Sequence, residues 1–396
     1  MCRLTLTTRD GLQLRLHRLV APDKSHVGRR PVLLLHGASA NHRTFMTPDG
    51  GLAAWLATGG GAKGQSFEPF DVWLLDWRAS SDVVEDRANA SYLDKADVFN
   101  FNAAAKHDIR LALDYIVGRL KDEGTSRPIY SVGFCMGAAI LAEAIALGHL
   151  ERYPIERAVL MAMALFYDTP IDGRLKSEER VLERLRGTAL PDKCGPFVSM
   201  DPRVTAAQGA PSRLSPKTIW PRELEEFYAT WPRQLRFHLT EERTPVEEMC
   251  NRLSFMLGMF YEHDNLVESI HGGTNPSLEG QFGPMALHLF IHGARNVRVG
   301  HATYYRPQPG QRDDDFVTDA ARRRFAALDR VTLITGARNR LWHRDSIDRM
   351  HEWLCREPSG ARRFPKHVLR NYGHQDLLWG KQSERDVFQL VERALA

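Results

Sequence analysis

The chain has 396 residues, of which 43% are hydrophobic and 26% charged, and its net charge is +4. This is the composition of an average globular protein, and so small a charge excludes an argument for nucleic acid or an anionic membrane as a partner. Five cysteines at wide spacing, without a CxxC pair, argue against a disulfide framework or a zinc ribbon. The longest apolar run, 158–167, is too short to span a membrane, and the N-terminus lacks the apolar stretch of a signal peptide. We therefore expect a cytoplasmic protein with free thiols, and nothing indicates a cofactor or a metal.

The first 165 residues alternate predicted strands with predicted helices. In chain order, the apolar patterns predict a strand at 12–18, a strand at 31–35, a helix at 52–58, a strand at 71–75, a helix at 101–120, a strand at 129–134, a helix at 136–147 and a strand at 158–164. Residues 1–5 also alternate like a strand. Strands that alternate with helices predict an α/β fold, in which a mostly parallel sheet carries helices on both faces.

A different composition follows in the middle of the chain. Residues 166–302 are rich in Arg, Glu, Pro, Trp and His, with short amphipathic pieces at 177–186 and 246–259, and we interpret them as a mostly helical lid inserted in the fold. Strand patterns return at 331–335 and 367–369, and a last helix is predicted at 384–395. The expected organisation is therefore a core formed by 1–165 and 303–396, with the lid insertion at 166–302.

A nucleophile elbow is predicted at 133–137, Gly-Phe-Cys-Met-Gly, between a strand and an alanine-rich helix. The nucleophile of such an elbow sits on a strained turn, and its flanking glycines let strand and helix approach each other. Cys135 takes the nucleophile position, where the free N–H groups of the helix N-terminus favour negative charge. We expect its thiol to ionise more readily than a thiol in solvent. The alternative is that Cys135 is an inert packing residue.

Two backbone N–H groups are predicted to form an oxyanion hole beside this elbow. One belongs to Met136, directly after the nucleophile, and the other to Ala38, in the sequence His36-Gly37-Ala38-Ser39 that follows the strand at 31–35. Removing one such donor typically costs on the order of 3 kcal/mol of transition-state stabilisation. The alternative for His36-Gly37 is a simple turn that ends the strand.

A histidine is expected near the C-terminus, because the partners of an elbow nucleophile follow it along the chain in the order acid, then histidine. His374, in the loop between the last predicted strand and the last predicted helix, fits this position, and His367 is a weaker rival. The imidazole would take the proton from Cys135 and later deliver it to the leaving group.

The orienting residue departs from the usual carboxylate. Asn339 fills the expected position after the strand at 331–335, and an amide oxygen can accept the imidazole N–H, since Cys-His-Asn sets are workable. Asp345, just downstream, and Asp168, after the preceding strand, are the carboxylate alternatives. Asn339 could instead only cap a turn.

Five segments together resemble a known family: LLLHGAS, DVWLLDWRAS, VGFCMGA, TGARNRLW and NYGHQDLLWG. The chain looks like the α/β-hydrolase domain that is fused behind cholesterol-oxidase-like flavin oxidoreductases of the glucose–methanol–choline group. The resemblance covers nearly the whole chain, and NYGHQD is its most specific part. It implies an α/β-hydrolase fold with an inserted helical lid, and it places Cys135, Asn339 and His374 at the nucleophile, orienting and base positions. The sequence contains no flavin-binding half, so no oxidase activity is implied.

Two further families are similar in part. Acid-lipase-like hydrolases share the broader pattern but have Ser and Asp where this chain has Cys and Asn, which argues against general triglyceride lipase activity. Polyhydroxyalkanoate synthases share the G-x-C-x-G elbow and the DWR-type strand end, and this likeness is local.

The sequence thus predicts an acyl hydrolase, of esterase or thioesterase type, that acts through a cysteine acyl-enzyme on an apolar ester or thioester. Two alternatives remain open. One is an acyltransferase of polyhydroxyalkanoate-synthase-like type, which passes the acyl group to an alcohol. The other is a non-catalytic hydrolase-fold partner of a flavin oxidoreductase. Neither a nucleic-acid partner nor a membrane span is expected.

Overall fold

The computed structural model describes most of the predicted core and little of the predicted lid. The described residues are 1–19, 28–47, 50–60, 67–92, 98–180, 280–357 and 360–396, with 197–198, 218–219, 229, 252 and 256. The amphipathic piece predicted at 246–259 therefore lies almost wholly outside the described residues.

An eight-stranded sheet forms the centre of the molecule, in the order β1-β2-β4-β3-β5-β6-β10-β11. The eleven strands of the described residues are β1 (Cys2–Thr7), β2 (Gln13–Leu19), β3 (Pro31–Leu35), β4 (Asp71–Asp76), β5 (Ile129–Phe134), β6 (Ile155–Met161), β7 (Phe197–Val198), β8 (Thr218–Ile219), β9 (Met285–Ala286), β10 (Arg330–Gly336) and β11 (Lys366–Leu369). In this sheet β1 pairs antiparallel with β2, and β2 with β4. The remaining neighbours, from β4 through β3, β5, β6 and β10 to β11, are all parallel. The two-residue strands β7, β8 and β9 form a small second sheet.

The burial of the central strands explains their apolar sequences. Every residue of β3, β4 and β5 is buried, which matches their continuous apolar sequences, because a parallel sheet is covered on both faces. The predicted strand at 158–164 is shifted: β6 begins at Ile155 and ends at Met161. The strand stops there because Ala162 has a φ of 71°, in the left-handed region that extended chain does not use. The α/β fold expected from the sequence is confirmed.

Helices cover the sheet. The α-helices of the described residues are α1 (Gly51–Thr58), α2 (Ser81–Val84), α3 (Phe101–Ala103), α4 (Ile109–Asp122), α5 (Met136–Ala146), α6 (Ile171–Glu178), α7 (Leu287–Val299), α8 (Asp319–Ala326), α9 (Asp345–Leu354), α10 (Gly360–Arg363), α11 (Asp376–Trp379) and α12 (Gln389–Leu395). A π-helical turn, Glu384–Phe388, leads into α12. α6 ends at Glu178 and so overlaps the first two residues of the amphipathic piece at 177–186, of which 181–186 lie outside the described residues. Within the described part of the chain, no helix has the length and apolarity needed to cross a lipid bilayer.

The long helix predicted at 101–120 is interrupted by a π-helical turn. α3 leads into this turn, Ala104–Asp108, which leads into α4. Before the turn, the Asn102 amide donates to Glu143 Oε2 of α5 at 3.0 Å. At its end, the Asp108 carboxylate accepts three hydrogen bonds from the Arg78 guanidinium, at 2.6, 2.9 and 3.1 Å, and both side chains are fully buried. The helix therefore contacts the core on both sides of the turn.

Candidate active site

Cys135 lies at the sharp corner between β5 and α5, as the elbow motif predicts. Its backbone has φ 55° and ψ −128°, a conformation that costs a non-glycine residue energy. The flanking glycines are required by close approach. A Cβ on Gly133 would lie 2.5 Å from Ala138 Cα, and a Cβ on Gly137 would collide with the Leu35 carbonyl oxygen of β3. The corner therefore presents the thiol at the end of the central strand.

The loop after β3 passes directly beside the thiol. A Cβ on Gly37 would lie 3.1 Å from Cys135 Cβ and 3.4 Å from Sγ, so only glycine gives this spacing without displacement. The backbone N–H groups of Ala38 and Met136 are both directed at the Cys135 sulfur. The two N–H groups predicted from the sequence are thus brought together at the proposed nucleophile.

The ionisation of the thiol differs from the expectation. Burial raises the pKa of the Cys135 thiol to about 12, and the N–H groups of Met136, Trp342 and Ala38 only partly oppose this. Removing the thiol from water penalises the thiolate more than the N–H groups of the elbow stabilise it. The prediction of an unusually acidic thiol is therefore wrong for this conformation of the chain.

His374 and Asn339 form the next contact of the site. The Nδ1–H of His374 donates to Asn339 Oδ1 at 3.2 Å, which leaves Nε2 as the basic nitrogen. Asn339 is itself fixed: its Oδ1 accepts the backbone N–H groups of Leu341 and Trp342, each at 3.1 Å, and its Nδ2 donates to the Ala162 carbonyl at 3.3 Å. An amide oriented in this way holds the imidazole in one tautomer.

The imidazole of His374 is buried beside the elbow. Its ring centroid lies 5.0 Å from that of Phe134, the residue before Cys135. Burial lowers the pKa of His374 to about 3, so the ring is neutral at physiological pH. Within the described part of the chain, Cys135 and His374 do not form a hydrogen bond. Catalytic hydrogen bonds are often long before substrate binds, so proton transfer requires their approach in the substrate complex.

The other predicted site residues lie in different contacts. Asp345 pairs with His343 at 3.1 Å, where both side chains are about half exposed. Asp168 pairs with Arg349 at 2.8 Å. His367 lies within β11, paired with Ile334 of β10. Asn339 is thus the candidate orienting residue that contacts His374.

Two aromatic residues beside the thiol were not found by sequence reasoning. The Trp342 indole N–H faces the Cys135 sulfur, and the Trp342 ring packs edge-on against that of Tyr167, with centroids 5.3 Å apart at 82°. Tyr167 is fully buried at the end of the segment after β6. The available signal was the position of Trp342, three residues after Asn339 in the same loop.

A cluster of histidines supports the loop that carries Ala38. His17 Nε2 and His42 Nδ1 lie 2.8 and 2.9 Å from Asp76 Oδ2, and His36 Nε2 lies 3.6 Å from Asp76 Oδ1. The backbone N–H of His42 also donates to Asp76 Oδ1, at 2.7 Å. Burial by itself raises the pKa of Asp76, but the hydrogen bonds from His17 and His42 outweigh it and hold this pKa well below its usual range. The cluster fixes the loop to the ends of β2 and β4.

The same cluster contains donor atoms that a metal ion could use. Donor atoms of His17, His42 and Asp76 lie within 4.8 Å of one another, and imidazole with carboxylate is a donor set that suits zinc. The rings of His17 and His42, however, are stacked at 3.8 Å with 24° between their planes. A nitrogen of each ring is directed at the same carboxylate oxygen, Asp76 Oδ2, at hydrogen-bond distance, so these nitrogens already have a partner. The arrangement is that of a hydrogen-bonded cluster.

No protein-family model matches the chain. A stretch of 143 residues is 31% identical to gastric triacylglycerol lipase of Mus musculus, and it covers 34% of this chain and 32% of the lipase, about a third of that relative's length.

Solved structures match over the whole chain. A thermostable carboxyl esterase from Bacillus coagulans, in complex with glycerol, is similar with a TM-score of 0.53 at 10% identity, over 100% of this chain and 96% of the esterase. A lipase in an open form is similar with a TM-score of 0.50 at 12% identity, over 100% of this chain and 97% of the lipase. With its mostly parallel sheet, flanking helices and strand-to-helix corner after β5, the chain has the α/β-hydrolase fold.

Proposed function

We propose that this chain is an acyl hydrolase that acts through a Cys135 acyl-enzyme on an ester or thioester with a sizeable apolar part. The observation that carries the proposal is the convergence of the Ala38 and Met136 N–H groups on the sulfur of a residue held at positive φ. A packing cysteine has no need of backbone strain, which costs on the order of 1–3 kcal/mol. The esterase and lipase similarities and the partial match to a triacylglycerol lipase support ester chemistry.

The proposed reaction begins with both partners neutral, because the thiol has a pKa of about 12 and the imidazole a pKa of about 3. His374 Nε2 takes the thiol proton as the sulfur attacks the carbonyl carbon, and the N–H groups of Ala38 and Met136 hold the oxygen that becomes negative. The carbon–oxygen or carbon–sulfur bond then breaks, and the imidazolium returns the proton to the leaving alcohol or thiol. Water activated by His374 hydrolyses the acyl-enzyme, which releases the acid and restores the thiol.

Rapid mixing tests this proposal. A chromogenic thioester is expected to give a burst of thiol release equal to one equivalent of protein, because acylation precedes the slower hydrolysis. Mass spectrometry of the quenched protein should locate the acyl group on the peptide that contains Cys135. A panel of acyl chain lengths in the same assay measures the size of the apolar pocket.

The same assay separates the alternatives. Release of an acylated alcohol when alcohols are added would favour an acyltransferase over a hydrolase. Absence of a burst with every acyl chain, together with slow alkylation of Cys135, would favour a non-catalytic partner of an oxidoreductase and overturn the proposal.

The pH dependence of turnover offers a second prediction. A general base works only in its neutral form, and burial lowers the pKa of His374 to about 3, far below the ordinary value of 6.5. We therefore expect kcat/KM to show no acid limb near pH 6.5 and to remain within about twofold between pH 7 and pH 5. Circular dichroism at each pH verifies that the protein stays folded. An acid limb with an apparent pKa near 6.5 would show that the imidazole titrates in water.

A further inference from the structure

Among the described residues, no positively charged group acts on the Cys135 thiol. His374 is neutral, and its orienting partner Asn339 is an amide, which supports an imidazolium less than a carboxylate would. The thiol is buried, so water gives it little help. Charge that develops on the sulfur must therefore be stabilised by hydrogen-bond donors.

Trp342 supplies such a donor. Its side chain is more than nine-tenths buried, and its indole Nε1 has no acceptor at full hydrogen-bond geometry. A buried N–H without an acceptor costs free energy, so its presence beside a reactive group indicates a use. The atom that it faces is the Cys135 sulfur.

The position of the indole is set by the site itself. The backbone N–H of Trp342 donates to the same Asn339 Oδ1 that accepts from His374, so one amide oxygen places both the imidazole and the indole loop. On the other side, the edge-on contact with Tyr167 limits rotation of the indole ring. These contacts come from the β10–α9 loop and from the segment after β6.

We propose that Trp342 is a catalytic residue, whose indole N–H donates a hydrogen bond to the Cys135 sulfur as the thiol gives its proton to His374. In the substrate-free chain the N–H groups of Ala38 and Met136 are directed at the same sulfur. Because they hold the substrate oxygen during the reaction, the indole N–H is the donor that stays with the sulfur. The proposal rests on the proposed function in one respect, that Cys135 is the nucleophile. It adds a side-chain donor to the two backbone donors.

The test compares Trp342→Phe with Tyr167→Phe. The first removes the N–H and keeps an aromatic ring beside the sulfur, and the second removes one polar atom from the neighbouring ring and leaves the indole in place. The rate of alkylation of Cys135 by iodoacetamide, followed by mass spectrometry between pH 7 and 10, reports the thiolate fraction without any ester substrate. Circular dichroism verifies the fold of both variants.

Trp342→Phe is expected to be alkylated about three- to tenfold more slowly than the unmodified chain throughout this range. A hydrogen bond to a charged group changes ionisation about ten- to a hundredfold, and about half of that logarithm is lost because a more basic thiolate is more nucleophilic. Tyr167→Phe should stay within about twofold. Equal rates for Trp342→Phe and the unmodified chain, or equal slowing in both variants, would overturn the proposal.

A measurement on the unmodified chain covers the case in which Trp342→Phe does not fold. The indole ¹H–¹⁵N signal of Trp342 should shift strongly when Cys135 is alkylated, because its acceptor changes, and an unchanged signal would contradict the contact. The two proposals fail separately. Slower alkylation of Trp342→Phe without any acyl-enzyme in the unmodified chain would end the proposed function alone. An acyl-enzyme with unchanged alkylation rates would end the role of Trp342 alone.

Discussion

Cys135→Ala is expected to lose turnover by on the order of a thousandfold or more, with the fold intact, because the residue supplies the atom that attacks the substrate. The acyl-enzyme should disappear from the mass spectrum at the same time. Alanine fits the corner, since the site is buried and Cβ is retained. Steady-state hydrolysis of a chromogenic thioester and the thermal midpoint measure the two quantities.

The chain contains a matched control for this variant. Cys355 follows α9, and its sulfur lies 3.4 Å from His351 Nε2, so it also has an imidazole partner, but it lies outside the elbow and away from the donors of Ala38 and Met136. Cys355→Ala should therefore leave turnover within about twofold. Comparable losses in both variants would mean that the assay reports general thiol reactivity.

A second pair of variants examines why cysteine and asparagine occur together. Cys135→Ser alone should retain little activity, because an alcohol needs a stronger base than a thiol and Asn339 stabilises the imidazolium poorly. Adding Asn339→Asp should recover part of that loss. If the double variant recovered no activity, the cysteine and the asparagine would not depend on each other, and the result would contradict the assignment of Asn339 as the orienting residue.

Asp108→Asn is expected to lower the free energy of unfolding by about 3–5 kcal/mol, because it leaves the Arg78 guanidinium buried without its main counter-charge. Both side chains are 0% exposed, and Arg78 Nη2 lies 2.6 Å from Asp108 Oδ1. Asp10, at 3.0 Å from Arg78 Nη1, is partly exposed and compensates only in part. Urea unfolding followed by circular dichroism measures the change.

The exposed pair Arg152–Asp114 is the control for this measurement. Its atoms are also 2.6 Å apart, but the side chains are 51% and 53% exposed, so water and salt screen their attraction. Asp114→Asn should therefore cost far less stability than Asp108→Asn. If the two variants lost similar stability, burial would not be what makes the Arg78 pair important.

The sequence was a good guide where a residue's role follows from its place along the chain. The strand at 31–35, the strand at 129–134 and the α/β alternation depend on local apolar patterns, and they occur as expected. The elbow glycines could be predicted from a local sequence pattern as well, because the close packing of strand and helix requires residues without side chains there. Asn339 was found by counting from β10, and the structure brings its amide to His374.

What the sequence could not provide depends on contacts between distant segments. The pKa of Cys135 is governed by burial, which the sequence does not contain, and the local argument from the helix N-terminus therefore gave the wrong sign. The sequence does not distinguish Trp342 from the other aromatic residues, because only the fold shows that its N–H faces the Cys135 sulfur. The Asp76 cluster joins β4 to His17 of β2 and to His36 and His42 of the loop after β3, and no spacing rule predicts it.

The π-helical turn at Ala104–Asp108 makes the length of this segment a constraint on the whole molecule. Each residue of a helix advances the direction of its side chain by about 100°, and the π turn holds one residue more than a regular turn. Deleting one residue there would regularise the helix and rotate everything on one side of the cut, so that either Asn102 leaves Glu143 or Asp108 leaves Arg78. The contacts with Glu143 and Arg78 therefore constrain the number of residues in this helix, whereas its exposed side chains are free of that constraint.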